Sequence, residues 1–398
     1  MIVRIEKSSA RGIITAPPSK SYTHRYLIAA ALAGNVTISN VVFSNDINAT
    51  IRCLASLGYK ANINEDKISF IKTDNFSPIF DCGESGSTLR FMIPIVMSTY
   101  EHATFIGSEK LFSRGISVYE DIFKEQGIDY KLSKDSLSVN GKLKSGYFKV
   151  QANISSQFIT GLLFASTLLD GDSSLELVGE VSSKPYIDIT LDVLKTFGII
   201  IENNENVYFV KGGQTYKGKD IAIEGDYSNS AFLDVFNYLG GRVKVEGLRS
   251  ASKQGDKVYK QLFYFLNKGK MEIDLTNAID LGPILFTFAA IKHGAIFTGI
   301  ERLRIKESDR VSDMLSILKL FGVRYLLEDN RLEIFESELH SYDKIISPAN
   351  DHRIVMSTAV LLTLFGGKIA NAEAVNKSFP DFFSYLRRLG IGVSYENI

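Results

Sequence analysis

The sequence predicts an α/β protein in two similar domains, assembled from six related units. Three observations carry this expectation. Amphipathic stretches close on glycine six times, at Gly58, Gly127, Gly198, Gly269, Gly322 and Gly390, as left-handed C-terminal caps require, with gaps of 69, 71, 71, 53 and 68 residues. A second set of six stretches, richer in small and apolar residues, spans 19–34, 85–99, 155–171, 228–241, 280–294 and 350–366 and interleaves with the first. Between them lie short alternating or β-branched runs that read as strands.

In chain order, residues 1–14 alternate apolar and charged side chains like a strand. In "TAPPSKSYTHRYLIAAALAG", Pro17 and Pro18 hold an extended lead-in, Ser19 caps a helix and Gly34 stops it. The strand runs follow as "NVTISNVVF", "KISFIKT", "HATFIGS", "SLSVNG", "SLELVG", "VYFVKG", "RVKVEGL" and "RLEIFES", placed between successive helices of the two sets. Each unit thus holds two helices and several strands. Three units per domain put a boundary near 225–226, in "IEGDYSNS", and the first strand could pair with either half.

Composition narrows the function classes. Over 398 residues, Lys plus Arg and Asp plus Glu both total 45, so no global basic field gathers nucleic acid or an anionic membrane. No apolar run approaches a membrane span, and the N-terminus lacks the continuous apolar stretch of a signal peptide, so a soluble cytoplasmic protein is expected. Cys53 and Cys82 are the only cysteines and the five histidines have no ligand spacing, so no metal is expected.

Cations gather at helix starts, where the macrodipole makes them locally unfavourable unless an anion binds there. Lys20 and Arg25 open one helix, and Arg353 follows "NDH" at another. Arg114 lies in "KLFSRGIS", Lys306, Glu307 and Arg310 in "RLRIKESDRV", and Lys377 in "NKSFPD". "GESGSTLR" lacks the Lys of a nucleotide phosphate loop, although Gly83 and Gly86 permit close backbone approach to a small anion. "ISSQFITG" offers Ser155, Ser156 and Gln157, and "SSKPYID" offers Ser183 and Tyr186. Hydroxyl, amide and phenol groups beside cations describe a polyhydroxylated, phosphorylated ligand.

Taken together, "PPSKSYTHR", "GESGSTLR", "SSQFITGLL", "SKPYIDIT", "IKESDR", "NDHR" and "KSFPD" resemble, in order and over nearly the whole chain, the 5-enolpyruvylshikimate-3-phosphate synthase family. The resemblance implies two domains of three βαβαββ units each, with buried parallel helices and outer sheets, an inside-out α/β barrel. It implies a first domain of 1–14 with 227–398, a second of 20–225, and hinge crossings near 14–20 and 225–227. It further implies transfer of the enolpyruvyl group of phosphoenolpyruvate to the 5-hydroxyl of shikimate 3-phosphate, with domain closure on the first substrate, no organic cofactor or metal, and a monomer.

By the same resemblance Lys20, Ser21, Arg25, Ser155, Ser156, Gln157, Ser183, Tyr186, Asp280 and Lys306 bind shikimate 3-phosphate. Lys20, Gly86, Arg114, Gln157, Arg310, Arg353 and Lys377 bind phosphoenolpyruvate. Asp280 is the implied base for the 5-hydroxyl and Glu307 the acid toward the phosphoenolpyruvate methylene, with Lys20 in the catalytic set and His352 accessory. Three positions depart from the family pattern: Glu84 stands where many members have Asn, Gly115 follows Arg114 in place of Pro, and Ile279 precedes Asp280 in place of Pro. The alternatives are a UDP-N-acetylglucosamine enolpyruvyl transferase, which typically uses a mobile-loop Cys, and a noncatalytic phosphometabolite-binding protein on the same scaffold.

Overall fold

Four of the six sheets repeat one arrangement, in which a parallel pair is followed by an antiparallel hairpin. The computed structural model describes residues 1–396. In Ile79–Gly83, His102–Gly107, Ser136–Asn140 and Asp129–Leu132 the first two strands are parallel, and the third and fourth close antiparallel on them. The same order recurs in the sheets containing Ser173–Val178, Thr37–Ser39 and Gly294–Thr298. In three of these sheets a helix joins the parallel neighbours, Gly86–Met97, Ser156–Ser166 and Gly282–Ile291 respectively, whereas in the sheet of Thr37–Ser39 the parallel neighbour, Ile221–Ala222, comes from the far end of the same unit.

Residues 1–14 form two strands, where the sequence suggests one. Ile2–Ile5 pairs antiparallel with Gly367–Ile369 and Val393–Glu396, and Arg11–Thr15 pairs parallel with Arg242–Glu246. The break falls in the polar run "EKSSA", which offers no apolar alternation to continue the strand.

The chain divides into two compact units, Met1–Pro17 with Gly225–Ile398, and Pro18–Glu224. In the unit of Pro18–Glu224, helices Lys20–Ala33, Gly86–Met97 and Ser156–Ser166 are buried on nearly every face. A helix apolar all round belongs in a core. Gly161 lets two of them approach closely, because a Cβ there would collide with the Arg90 carbonyl oxygen. In the other unit Gly282–Ile291 and His352–Phe365 are buried in the same manner, around Phe232, Leu285, Phe286, Val355 and Met356. Ser19, Ser85, Ser155 and Asp351 cap four of these inner helices with their side chains, and Asp226 caps a further one, Tyr227–Asp234.

Candidate active site

The polar starts of the inner helices carry the charged and hydroxylic side chains, and each unit holds its own cluster. In the unit of Pro18–Glu224, Lys20 begins the helix Lys20–Ala33, and its Nζ lies 2.9 Å from Asp46 Oδ2. Arg25, one turn on and 3% exposed, is held without any carboxylate among the described residues. Its Nε donates to Thr190 Oγ1 at 2.8 Å, Nη1 to the Ser21 carbonyl at 2.7 Å, and Nη2 to Thr160 Oγ1 and the Tyr186 carbonyl at 3.1 Å each. Burial lowers the Arg25 guanidinium to about 10. A desolvated cation with only neutral partners leaves its charge available to an anion.

A second group in this unit is built on "GESGSTLR". Arg90, 4% exposed, donates from Nη1 to Gln157 Oε1 at 2.8 Å and from Nη2 to the Arg114 and Gly115 carbonyls at 3.2 and 3.1 Å. Gln157 in turn donates to Ser87 Oγ at 3.0 Å, while Ser155 caps the helix by accepting from the Gln157 N–H at 3.3 Å. Gly86 faces Arg114, and a Cβ there would stand 2.7 Å from Nη1. Gly115 has a φ of 74°, which proline cannot adopt, so the departure from Pro follows from the local backbone. Glu84 is exposed.

Asp46 links the two groups: its carboxylate takes Lys20 and its carbonyl lies 3.4 Å from Thr88 Oγ1, whose hydroxyl is 2.7 Å from the cap Ser85. Ser156 is buried beside its cap. Ser183, 1% exposed, holds a left-handed φ of 58°, a strained conformation of the kind found at functional turns. Tyr186 faces Arg25 through its backbone carbonyl, a contact that its side chain gives no hint of.

In the other unit, Arg310 is the centre of an acidic cage. Its side chain is 1% exposed; Nη1 is 3.0 Å from Asp280 Oδ1, Nη2 2.7 Å from Glu307 Oε2, and Nε 2.8 Å from Asp351 Oδ2. Arg353 donates from Nη2 to Asp280 Oδ2 at 3.1 Å, and from Nη1 to the Asp280 carbonyl at 3.0 Å and Ser228 Oγ at 2.7 Å. Lys306 Nζ is 3.7 Å from Asp280 Oδ1. Lys377 donates to the Asn350 carbonyl at 2.6 Å, and buried His352 stands with Nδ1 3.8 Å from Asp351 Oδ1. Asp280, Lys306, Glu307, Arg310 and Arg353 therefore form one charged cluster, with Lys377 reaching the residue before Asp351.

Burial alone would lift the Asp280 carboxyl, but Arg353, Lys306 and Arg310 together hold it well below the usual carboxylate range. Burial opposes the Arg310 charge as well, yet Asp351, Glu307 and Asp280 raise its proton affinity above the ordinary arginine value. Lys306 goes the other way: burial outweighs Asp280 and lowers its ammonium to about 8. Asp280 lies in the single turn Ile279–Leu281 ahead of helix Gly282–Ile291, so it is not a simple helix cap.

Sequence reasoning did not single out Arg90, Ser87, Asp46, Ser228 or Asp351. All of these but Asp46 lie inside segments noted above, and a charged residue on an apolar inner helix is the signal that marks Arg90. Among the described residues no group of His, Cys, Asp and Glu is placed to hold a metal ion, and no helix is long and apolar enough to cross a membrane.

The family model described as EPSP synthase (3-phosphoshikimate 1-carboxyvinyltransferase) matches residues 5–386. A 3-phosphoshikimate 1-carboxyvinyltransferase of Clostridium kluyveri is 39% identical, covering 98% of this chain and 97% of the relative, and one of Clostridium novyi is 38% identical with the same coverage. Among solved structures, the EPSP synthase of Acinetobacter baumannii superposes with a TM-score of 0.78 at 21% identity over 100% of both chains. The enolpyruvyl transferase NikO of Streptomyces tendae gives 0.77 at 12% identity, over 99% of this chain and 98% of that one, so the fold is shared far beyond sequence similarity. On its sequence, its fold and its matched length, this chain belongs to the EPSP synthase (3-phosphoshikimate 1-carboxyvinyltransferase) family.

Proposed function

We propose that the two clusters divide the work of one reaction, with the acidic cage supplying the proton chemistry. The chain is a transferase of the shikimate pathway that moves the enolpyruvyl group of phosphoenolpyruvate to shikimate 3-phosphate. Its task is to hold two multiply charged anions and to supply one base and one acid. Lys20, Ser21, Arg25, Ser155, Ser156, Gln157, Ser183, Tyr186 and Lys306 take shikimate 3-phosphate. Gly86, Arg114, Arg310, Arg353 and Lys377 take phosphoenolpyruvate, with Lys20 and Gln157 serving both. Forked guanidinium groups suit carboxylate and phosphate oxygens.

The observation that carries this reading is that one guanidinium, Arg310, bonds both carboxylates assigned to proton transfer, Asp280 and Glu307. In the free chain the arginines suppress the basicity of Asp280. Phosphoenolpyruvate competes for those same arginines, so its binding returns proton affinity to Asp280 when the 5-hydroxyl must be deprotonated. Glu307, freed from Arg310 by the same competition, takes up a proton; Asp280 accepts the hydroxyl proton as the oxygen attacks the enol carbon, and Glu307 delivers its proton to the methylene. In the second step phosphate leaves and the Glu307 carboxylate takes back a methyl proton, restoring the enol double bond. Both cysteines are buried, which gives no support to a mobile-loop thiol of the UDP-N-acetylglucosamine enzymes.

Phosphate release in the presence of phosphoenolpyruvate and each acceptor tests the reading. Release with shikimate 3-phosphate is expected, and its loss in Asp280→Asn and Glu307→Gln supports the roles. Release with UDP-N-acetylglucosamine alone overturns the acceptor, and binding without turnover favours a noncatalytic protein.

A further inference from the structure

The turn Gly255–Val258, which leads into helix Tyr259–Leu266, carries an acidic residue that the mechanism above leaves unused. Asp256 is 5% exposed, although aspartate is almost never buried without a reason. The turn is anchored by its neighbour Gln254, whose Oε1 accepts from the Tyr227 N–H at 3.0 Å and whose Nε2 donates to the Gly225 carbonyl at 2.9 Å. Ser228 hydrogen-bonds Asp256, and the same hydroxyl receives Arg353 Nη1 at 2.7 Å. The other arm of that guanidinium lies on Asp280 Oδ2 at 3.1 Å. A side-chain path thus runs from Asp256 through Ser228 and Arg353 to the carboxylate assigned as base.

We propose that Asp256 is a positioning residue for the transfer reaction: acting through Ser228, its carboxyl governs how Arg353 is shared between Asp280 and an incoming phosphoenolpyruvate anion. The proposal rests on the reading of Arg353 as a phosphoenolpyruvate contact. The charged groups facing Asp256 are Asp280 from the turn Ile279–Leu281, Arg353 from helix His352–Phe365, and Asp226 at the cap of helix Tyr227–Asp234. On its own turn, Lys257 is directed to the Ser252 carbonyl at 3.0 Å. Burial first, and then the charge of Asp280, push the Asp256 carboxyl up to about 7 against the pull of Arg353. Below neutrality Asp256 is protonated and leaves Arg353 to the substrate. Above it the ionised group adds a negative charge facing Arg353, retains the guanidinium and weakens phosphoenolpyruvate binding.

The test is the KM for phosphoenolpyruvate at saturating shikimate 3-phosphate, in the full chain, its Asp256→Asn variant and its Ser228→Ala variant. The ratio of KM at about pH 8.5 to KM at about pH 6 is expected to be about fivefold larger in the parent than in either variant. Ionisation of the substrates and of Lys306 is common to all three and cancels. Equal ratios in all three overturn the proposal, as does a variant that loses thermal stability while keeping the parent ratio. If Asp256→Asn does not fold, Ser228→Ala against the parent decides in the same way. An Arg353→Lys variant separates the two readings. An unchanged KM for phosphoenolpyruvate in that variant sinks the role of Arg353, whereas a raised KM beside equal pH ratios sinks the role of Asp256 alone.

Discussion

The two charged clusters solve the problem of buried cations in opposite ways. Arg25 is surrounded by hydroxyls and carbonyls, and burial lowers its proton affinity; Arg310 is wrapped by three carboxylates, and its proton affinity rises. The first arrangement leaves a positive field waiting for an anion, at a cost in desolvation that a ligand removes. The second is neutralised from within, so an anion must exchange places with a carboxylate. That exchange suits the site of proton transfer, because it couples substrate binding to the release of a base.

The comparison can be broken at several points. The largest effect is expected in the acidic cage: Asp280→Asn or Glu307→Gln lowers turnover by about 10²–10⁴-fold, read as phosphate release. Asp351→Ala strips Arg310 of its most buried partner and helix His352–Phe365 of its cap, leaving the buried cage one positive charge in surplus, so chemical denaturation is expected to register a loss of about 3–5 kcal/mol. Gly86→Ala sets a methyl against the Arg114 guanidinium in the cluster of the unit Pro18–Glu224 and raises the KM for phosphoenolpyruvate by about tenfold. Shikimate 3-phosphate affinity in that variant stays near the parent value.

The smallest effect is a pH dependence. Lys306 is charged only below about 8, so its attraction for a phosphorylated ligand is present at neutral pH and lost as pH rises through 8. Calorimetry is expected to show shikimate 3-phosphate affinity falling about three- to fivefold across that interval. In Lys306→Arg, which keeps its charge, the fall disappears.

Helix ends were legible because left-handed glycines mark them: Gly58, Gly127, Gly198, Gly322 and Gly390 all have positive φ. Gly269 is the exception, its helix having ended at Leu266. The 53-residue gap that follows it also has a physical cause. No hairpin is inserted after helix Tyr259–Leu266, and its strand Arg242–Glu246 pairs with Arg11–Thr15 alone. In the sheet of Ile2–Ile5 the N-terminal strand occupies the place that a local hairpin strand fills elsewhere.

In the site, the cations and their helix starts could be read locally, since capping residues and charges are neighbours in sequence. Their partners could not. Arg90 meets Gln157 from 67 positions away, Arg310 meets Asp351 from 41, and Arg353 meets Ser228 from 125. Such pairings are set by how inner helices pack, and a one-dimensional pattern carries no trace of them. Asp226 and Ser228 sit together at one helix start, where Asp226 caps the helix and Ser228 serves Arg353 instead.

The contrast between Arg25 and Arg310 is tested most directly by calorimetric binding of shikimate 3-phosphate, without phosphoenolpyruvate, to Arg25→Gln and Arg310→Gln. The account predicts about 100-fold weaker binding for Arg25→Gln and a change within about threefold for Arg310→Gln. Equal losses in the two variants, or a larger loss at Arg310, would contradict it.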